Sequence, residues 1–411
     1  MENISLRILF AGAIVCLIPL AMVPAPEFKL GIENFSHYSL VSSSTHCVTA
    51  ALVTNHTAKD QQGHRTIDIL CQHPAIKLMY ILTSEHGITG KVPASISVED
   101  GYDAVTKIPI ISLYKNGSKK EIPQECLQSV RVIFFDMQDC GMRHYTYIST
   151  LHQIMKIAAE HNKQVVVLDR PNPLGGIIEG PLVESSLQSF ISVAPIPLRY
   201  GLTIGELAHF FNEHFFEKKV NVCVIPMKGY VREQVYLPEA LSPNIPSKQS
   251  CYGYSFLGLL GEVRPLDVGL GSRYSFRCIA LPKQSNMPQR AWWKLAEQLK
   301  KYGIKTIAHT YTTSRKKIEF HGLLIKIPSP NAVSSFNALL HTLLFLKKEG
   351  INLVFSPYFD KAMGTSKVRE YIQGIITYNE LKQYVNKQLV LFNEQIRSCM
   401  LYAPEPLCKL L

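Results

Sequence analysis

The sequence lacks the short motifs that identify several large classes of proteins. Its ten cysteines include no pair in the C-x2-C spacing of a zinc site. It contains no G-x-G-x-x-G or G-x-x-x-x-G-K-[ST] loop, no G-x-S-x-G and no H-E-x-x-H. These absences argue against a zinc-stabilised domain, a nucleotide-dependent enzyme, a serine hydrolase and a zinc peptidase.

The chain also lacks any concentration of its positive charge. Its 43 Lys and Arg residues exceed its 32 Asp and Glu residues, for a net charge of +11, but they are scattered. The local basic clusters carry no interleaved aromatic residues and match no nucleic-acid module. The charge therefore gives no reason to expect a nucleic acid as a partner.

The N-terminus has the pattern of a secretory signal. Arg7 precedes the apolar residues 8–23, and Val23-Pro24-Ala25 offers small residues for cleavage after Ala25. We expect residues 1–25 to direct export, so that the protein is periplasmic or secreted. The alternative is an uncleaved membrane anchor formed by residues 8–23, which are slightly short for a span of about 20 residues. Contact with a membrane is expected through this segment alone.

A parallel sheet is predicted for the first half of the chain. Five short, almost wholly apolar runs read as buried strands; they are residues 47–54, 76–83, 109–113, 130–135 and 164–168. Helical patterns separate or follow them at 143–162 and 203–216, and the second begins with Thr203 and Glu206 in the spacing of a capping box. The pattern predicts a doubly wound, Rossmann-like α/β domain over residues 28–222.

The pattern of the second half predicts a smaller α+β domain, residues 225–411, packed against the first. Residues 237–284 read as rich in loops. The elements expected after them are a helix at 288–302, strands at 304–308 and 319–327, and helices at 333–348 and 377–395. Cys399 and Cys408 are a candidate disulfide pair in an oxidising compartment.

Polar loops follow four of the predicted strands, where the ligand site of an open parallel sheet is expected. They begin TNHT (54–57), SEHG (84–87), DMQDCGMR (136–143) and DRPNPLGG (169–176). Most of their polar residues have an ordinary structural explanation as turn residues, helix caps or local ion pairs. Glu85 is different, because desolvation at the end of an apolar strand, beside His86, raises a carboxyl pKa toward that of a general acid.

The loops resemble those of the bacterial exo-β-N-acetylmuramidases. The shared motifs, in order, include SEHGITG, D-x-Q-D-x-G-x-R-x-Y-T-Y-x-x-T and LDRPNPLGG, and the resemblance runs from about residue 28 to 400. It implies a glycoside hydrolase that removes non-reducing-end N-acetylmuramic acid from peptidoglycan fragments (muropeptides). It also implies a Rossmann-like domain, a smaller C-terminal domain and a site in the cleft between them, with no metal and no organic cofactor.

The resemblance makes Glu85 the prime catalytic residue, with an acid/base role and with His86 orienting it. Glycoside hydrolysis usually needs a second carboxyl group, expected first at Asp139 and then at Asp136, Glu179 or Glu206. Arginine could hold the lactyl carboxylate of the substrate in a bidentate contact; the candidates are Arg143 and Arg170, with Arg199 behind them. Tyr145 and Tyr147 could stack on a sugar, although at i, i+2 on a helix both could not face one cleft. The remaining substrate-binding candidates are Asn55, Gln138, Asp169, Asn172 and Glu262.

Two departures from the family pattern border the expected cleft. The loop after Gly90 is shorter than in the family, and residues 261–276 diverge from a stretch rich in Gly, Thr, Ser and Arg. They motivate a second hypothesis, a muropeptide-binding protein of the same fold that has lost turnover.

Overall fold

The structure is a computed structural model that describes residues 27–35, 47–115, 118–233, 236–237, 240–313 and 317–411. The predicted signal or anchor, residues 1–25, lies outside this part of the chain. No helix in the described ranges is long and apolar enough to cross a membrane.

The strands and helices of the described residues are numbered here in chain order. The strands are β1 Val48–Thr54, β2 Ile76–Thr83, β3 Gly101–Tyr102, β4 Pro109–Ser112, β5 Tyr114–Lys115, β6 Ser118–Lys119, β7 Val132–Asp136, β8 Gln164–Leu168, β9 Ile177–Leu182, β10 Pro197–Tyr200, β11 Asn221–Ile225, β12 Val263–Arg264, β13 Cys278–Pro282, β14 Lys305–Thr312, β15 Glu319–Lys326, β16 Val354–Phe355 and β17 Leu407–Cys408. The helices are α1 Gly31–Asn34, α2 Thr66–Gln72, α3 Gln124–Ser129, α4 Tyr147–Glu160, α5 Ile204–His214, α6 Lys248–Leu260, α7 Gln289–Lys300, α8 Ser335–Lys348, α9 Pro357–Met363, α10 Lys367–Gln373 and α11 Tyr378–Gln395.

Seven strands form the main sheet, in the order β11-β8-β7-β1-β2-β4-β3. All neighbours are parallel except β3, which pairs antiparallel with β4. The chain builds outward from β1 through β2 to β4, then crosses back to add β7, β8 and β11 on the other side. This is the Rossmann-like order, and its switch point lies between β1 and β7. The predicted doubly wound α/β fold is confirmed.

Both faces of this sheet are buried, which explains its almost continuous apolar strands. Along β1, Ala50 and Leu52 pack on one face in a core shared with α1 and α2. Ala51 and Val53 pack on the other face in a larger core that continues through α4 and α5 into the second half of the chain. The alternation follows from successive strand side chains pointing to opposite sides.

Helix α5 begins where the sequence places its start. The Thr203 hydroxyl accepts a hydrogen bond from the Glu206 amide, and the Glu206 carboxylate accepts one from the Thr203 amide. This reciprocal capping box satisfies two amides that the first helical turn leaves without partners. The predicted capping box is confirmed.

Helix α6 was not expected, because residues 237–284 read as loops. Its sequence, KQSCYGYSFLGLL, contains Gly253 and Gly258, which lower helix propensity. Tertiary packing explains both residues. A Cβ at Gly253 would lie 1.7 Å from the Phe276 carbonyl oxygen, and one at Gly258 would lie 2.6 Å from Nε2 of His144. The glycines allow this buried helix to approach its neighbours closely.

The second half contains a three-stranded antiparallel sheet, β13-β15-β14, with α7 and α8 packed nearby. The C-terminus then returns to the first half, where β17 pairs in parallel with β9. Cys399 and Cys408 are free thiols. The Cys399 sulfur contacts the Glu213 carboxylate and the Cys408 sulfur faces the Leu389 carbonyl oxygen, which contradicts the expected disulfide.

Candidate active site

The candidate site lies at the carboxyl ends of the three central strands. Asn55 follows β1, Glu85 follows β2, and Asp139 lies three residues beyond β7. Because β1 is hydrogen-bonded to both β2 and β7, the loops after these strands are neighbours at one rim of the sheet. This rim includes the switch point, where open α/β sheets bind ligands.

The Glu85 carboxylate accepts three hydrogen bonds from side chains and backbone. Its Oε1 accepts from the Tyr114 hydroxyl at 3.0 Å and from the Ser95 amide at 3.2 Å. Its Oε2 accepts from the Thr146 hydroxyl at 2.8 Å. Burial and the neighbouring Glu85 raise the pKa of Tyr114 to about 12, so the phenol stays a donor. Glu85 as a whole residue is 9% exposed.

His86 positions the short loop that follows Glu85. Its Nδ1 lies 2.7 Å from the Val92 carbonyl oxygen, and its backbone φ is 72°, in the left-handed region. The loop then turns at Gly90, where a Cβ would lie 2.0 Å from the His56 ring. This tight path brings the Ser95 amide to Glu85, so His86 acts on Glu85 through the loop.

Asp139 is the second carboxyl group at the rim. Its Oδ2 accepts hydrogen bonds from the Tyr200 hydroxyl and from the Gly141 amide, the latter at 2.7 Å. Its Oδ1 is buried and has no hydrogen-bond partner among the described residues. Burial raises the pKa of Asp139 to about 7, although the bonds from Tyr200 and Gly141 oppose the rise. A carboxyl group of this kind holds a proton near neutral pH.

Tyr147 lies close to both carboxyl groups. Burial raises the pKa of its phenol, and the charges of Glu85 and Asp139 raise it further. Tyr145 and Tyr147 donate hydrogen bonds to the same acceptor, the Leu241 carbonyl oxygen, at 3.1 and 3.3 Å. The expectation that the two tyrosines face different ways is therefore wrong. Helix α4 begins only at Tyr147, so helical spacing does not apply to Tyr145.

Three other carboxylates suggested by the sequence are held in buried ion pairs. Asp136 pairs with Arg170, Glu179 with Arg199 at 3.0 Å, and Glu206 with Arg232 at 2.5 Å. Each acid also has structural partners: the Thr66 hydroxyl bonds Asp136, the Ser335 and Phe336 amides bond Glu179, and Glu206 caps α5. Because their charges are already balanced inside the fold, we assign all three acids a structural role in place of the predicted catalytic one.

Arg143 has the same kind of structural role. All five of its N–H groups have acceptors within the protein: the carbonyl oxygens of Pro181, Ile196, Ala362 and Met363 and the Ser192 hydroxyl. No donor remains for a substrate carboxylate. Arg199 is buried as well and bonds the Leu174 and Pro330 carbonyl oxygens besides Glu179. Arg143 is therefore not placed to hold the lactyl group, which corrects that prediction, whereas Arg199 keeps a buried Nε that has no partner among the described residues.

Arg170 lies nearer to the candidate site. With Gln138, Asp139, Asn172 and Tyr200 it lines a narrow space behind the rim that is too small to hold a water molecule. Its Nη1 and the Gln138 Oε1 are buried and have no partner among the described residues, as is true of Asp139 Oδ1. This space therefore contains two acceptors and one donor that the protein leaves unsatisfied.

The remaining predicted residues serve mainly as supports. Asn55 Oδ1 accepts from the amide and hydroxyl of Thr57, and Asn172 bonds the backbone of Leu174 and Leu202. Asp169 is buried and accepts from Thr203, Gly205 and Tyr402, and burial raises its pKa to about 6. Glu262 immediately precedes β12, and its carboxylate accepts a hydrogen bond from the Ser356 hydroxyl. Burial raises the pKa of Tyr254, and the charge of Glu262 adds to the rise.

Sequence reasoning missed the residues that hold the two carboxyl groups. Tyr114, Thr146 and Tyr200 lie in the segments IPIISLY, HYTYIST and PIPLRYGLT, which also belong to the stretches that resemble the family. The resemblance to the family therefore included the three residues that bond the two carboxyl groups. Nothing in their spacing, however, indicates which hydroxyl bonds which acid, because Tyr114 and Thr146 are 29 and 61 residues from Glu85.

The chain is similar in sequence to the members of one known family. Residues 50–249 match the family described as exo-beta-N-acetylmuramidase NamZ, N-terminal, and residues 252–402 match the C-terminal part of the same family. The peptidoglycan beta-N-acetylmuramidase NamZ of Bacillus subtilis (strain 168) is 32% identical over 365 residues, which cover 85% of this chain and 86% of that protein.

Two crystal structures of DUF1343 family proteins from Bacteroides fragilis NCTC 9343 have a similar fold. One has a TM-score of 0.79 at 29% identity and covers 91% of this chain and 99% of its own. The other has a TM-score of 0.71 at 24% identity and covers 92% and 99%. The similarity covers most of this chain and almost all of each crystal structure.

Proposed function

Because the chain belongs to the exo-β-N-acetylmuramidase NamZ family, we propose that it removes N-acetylmuramic acid from the non-reducing end of peptidoglycan fragments. The family membership confirms the resemblance and makes the chain a glycosidase. The observation that carries the proposed chemistry is the pair of carboxyl groups at the sheet rim, Glu85 and Asp139. Of the five acids suggested for catalysis, these two have no arginine partner in the described structure.

Asp139 is the better proton donor of the pair. Its pKa of about 7 keeps it largely protonated under mildly acidic conditions, and its Oδ1 is free to carry the proton. Tyr200 and Gly141 hold the other oxygen and so fix the direction of the group. A general acid needs this combination to protonate the oxygen of the departing sugar.

Glu85 is suited to the complementary role of base or nucleophile. Tyr114, Ser95 and Thr146 direct hydrogen-bond donors at both of its oxygens, an arrangement that suits a carboxylate. The sequence suggested an acid/base role for Glu85. The proposal gives the proton-donor part to Asp139, because Asp139 combines a raised pKa with an unbonded oxygen.

The test is the product formed from a muramyl-glucosaminyl disaccharide by the purified protein. We expect release of free N-acetylmuramic acid, and no release from chains whose non-reducing end is N-acetylglucosamine. Absence of release from the disaccharide and from muropeptides would overturn the proposal. Calorimetric binding without cleavage would instead support the muropeptide-binding protein that the divergent loops suggested.

We also propose that the protein acts outside the cytoplasm. The proposal rests on the charged, apolar and small-residue pattern of residues 1–25 and on the extracytoplasmic position of peptidoglycan. The test is the mass of the N-terminal peptide from protein recovered in the exported fraction. A peptide beginning at Pro26 supports export with cleavage, whereas recovery in the cytoplasm with Met1 retained would contradict it.

A further inference from the structure

A group of metal-ligating side chains lies away from the candidate active site, at the C-terminal end of α5. Glu213 and His214 are exposed in the last turn of the helix, and Cys399 is buried in the segment that follows α11. One donor atom from each residue lies within 4.8 Å of the others. Helix α5 has 11 residues, about 16 Å of length, and its other end bonds Asp169 at the rim.

We propose that Glu213, His214 and Cys399 bind one zinc ion, or a similar transition-metal ion, that joins α5 to the C-terminal segment. Thiolate, imidazole and carboxylate are the three ligand types that zinc accepts in proteins. The proposal concerns a structural site and is independent of the proposed glycosidase chemistry.

The distances fit a tetrahedral ion. The Glu213 Oε2 and Cys399 Sγ atoms are 3.4 Å apart. Zinc bonds of about 2.3 Å to sulfur and about 2.0–2.2 Å to oxygen place two tetrahedral ligands about 3.5 Å apart. The imidazole of His214 is exposed, so rotation of its side chain can bring its nitrogen to a similar distance.

The Glu213 carboxylate supplies the negative charge of the proposed site. The partial negative charge at the C-terminal end of the helix is already met by the Lys219 ammonium, which donates to the Glu213 and Phe216 carbonyl oxygens. The Ser398 hydroxyl and the Cys399 thiol both donate to Oε2 of Glu213, at 2.8 and 3.4 Å, which directs this oxygen toward the Cys399 sulfur.

Metal binding would replace the proton that the Cys399 thiol donates to the Glu213 carboxylate. Coordination therefore releases one proton from the sulfur to solvent as the metal–sulfur bond forms, with no change in oxidation state. Affinity should accordingly increase with pH.

The ion would fasten a segment that already supports the rim. Immediately after Cys399, the Leu401 amide donates to Glu206 at 2.9 Å, and the Tyr402 hydroxyl donates to Asp169 at 2.6 Å. A metal that binds the folded chain and not the unfolded chain raises its stability by mass action. We therefore expect a higher melting temperature in the presence of the metal.

The test is titration of the reduced, full-length chain, without a histidine tag, with Co²⁺ and Zn²⁺. We expect one ion per chain, thiolate-to-cobalt charge-transfer absorption and displacement of Co²⁺ by Zn²⁺. Cys399→Ser and His214→Asn should each weaken binding by roughly 100-fold or more, since even the loss of a ligand's hydrogen-bond partner costs 10–100-fold. Cys408→Ser, which removes the other C-terminal thiol, should bind as the wild type does.

Two results would overturn the proposal: no stoichiometric binding to the wild-type chain, or binding by His214→Asn that equals the wild type. His214 is exposed, so its replacement leaves the core intact and decides the matter even if Cys399→Ser folds poorly.

Discussion

The Tyr200 hydroxyl donates a hydrogen bond to Oδ2 of Asp139, at the end of a strand that is not part of the main sheet. Tyr200 closes β10, which pairs with β9, whereas Asp139 follows β7. The bond therefore joins two sheets at the candidate site. It leaves the other oxygen of Asp139 available. It also opposes the effect of burial on the pKa of Asp139, which rises to about 7 with the bond in place.

Removing this bond should change the pH dependence of the reaction. With Asp139 as the proton donor, kcat/KM falls as the pH rises through about 7. Tyr200→Phe deletes a donor that lowers this pKa, so the falling limb should move to higher pH. The pH profiles of kcat/KM for both proteins measure the shift. If activity instead rises through pH 7, Asp139 must be ionised to act, and the assigned roles of Asp139 and Glu85 are reversed.

Asp139 should also make stability depend on pH. The pKa of Asp139 is about 7 in the folded chain, whereas the usual value of 3.8 applies in the unfolded chain. Between pH 3.8 and about 7, therefore, the unfolded chain loses this proton and the folded chain keeps it. The contribution of Asp139 to the free energy of unfolding is complete below about pH 4 and is lost as the pH rises through about 7.

Asp139→Asn removes the titration of Asp139. Comparison with the wild type therefore separates the contribution of Asp139 from those of other groups, including Asp169. The difference in unfolding free energy between the wild type and this variant should fall from pH 4 to pH 7, by urea denaturation at fixed ionic strength. A difference that stays constant over this range would show that Asp139 titrates at an ordinary pKa in the folded chain.

Arg143→Met should destabilise the protein rather than selectively weaken substrate binding. The change leaves four carbonyl oxygens and one hydroxyl without their buried donor. At about 1–3 kcal/mol for each unsatisfied group, with partial relaxation, the loss should be at least about 3 kcal/mol. The matched control is Arg397→Met, at an exposed position. A stable variant with a raised KM for carboxylate-bearing substrates would restore Arg143 as a ligand of the lactyl group.

Gly253→Ala should destabilise the protein through helix α6, although alanine has the higher helix propensity. The new Cβ would lie 1.7 Å from the Phe276 carbonyl oxygen, so backbone must move, at a cost of roughly 1–3 kcal/mol or more. Gly101→Ala is the control, because a Cβ there has nothing within 4 Å. Thermal unfolding of the two variants makes the comparison, and equal melting temperatures would contradict the packing of α6.

Local sequence patterns predicted most of the fold because they depend on neighbours along the chain. The strands at 76–83 and 164–168 have the predicted bounds, and Thr203 caps α5 as its spacing indicates. Helix α6 was missed because its glycines face groups that are distant in sequence: the Phe276 carbonyl oxygen for Gly253 and the His144 ring for Gly258. Local propensity cannot register a contact of that kind.

The candidate site was predicted in its position but not in its internal pairing. Parallel-sheet topology is enough to place Glu85 and Asp139 at one rim. Distinguishing them from Asp136, Glu179 and Glu206 required the arginine partners, which pack against those three acids only in the folded chain. Arg143 was misassigned for the same reason, since its acceptors are up to 220 residues away.

The most direct test is the turnover of Glu85→Gln on the muramyl-glucosaminyl disaccharide, compared with wild type and with Glu99→Gln. Glu99 is an exposed glutamate in the segment after the Glu85 loop, so its substitution controls for the chemical change alone. Glutamine keeps the size of Glu85 but cannot serve as a base or nucleophile, and removal of a catalytic group typically costs at least about 100-fold. We expect kcat to fall by at least this factor in Glu85→Gln, with unchanged thermal stability and with wild-type turnover in Glu99→Gln. Wild-type release of N-acetylmuramic acid by a folded Glu85→Gln variant would contradict the account.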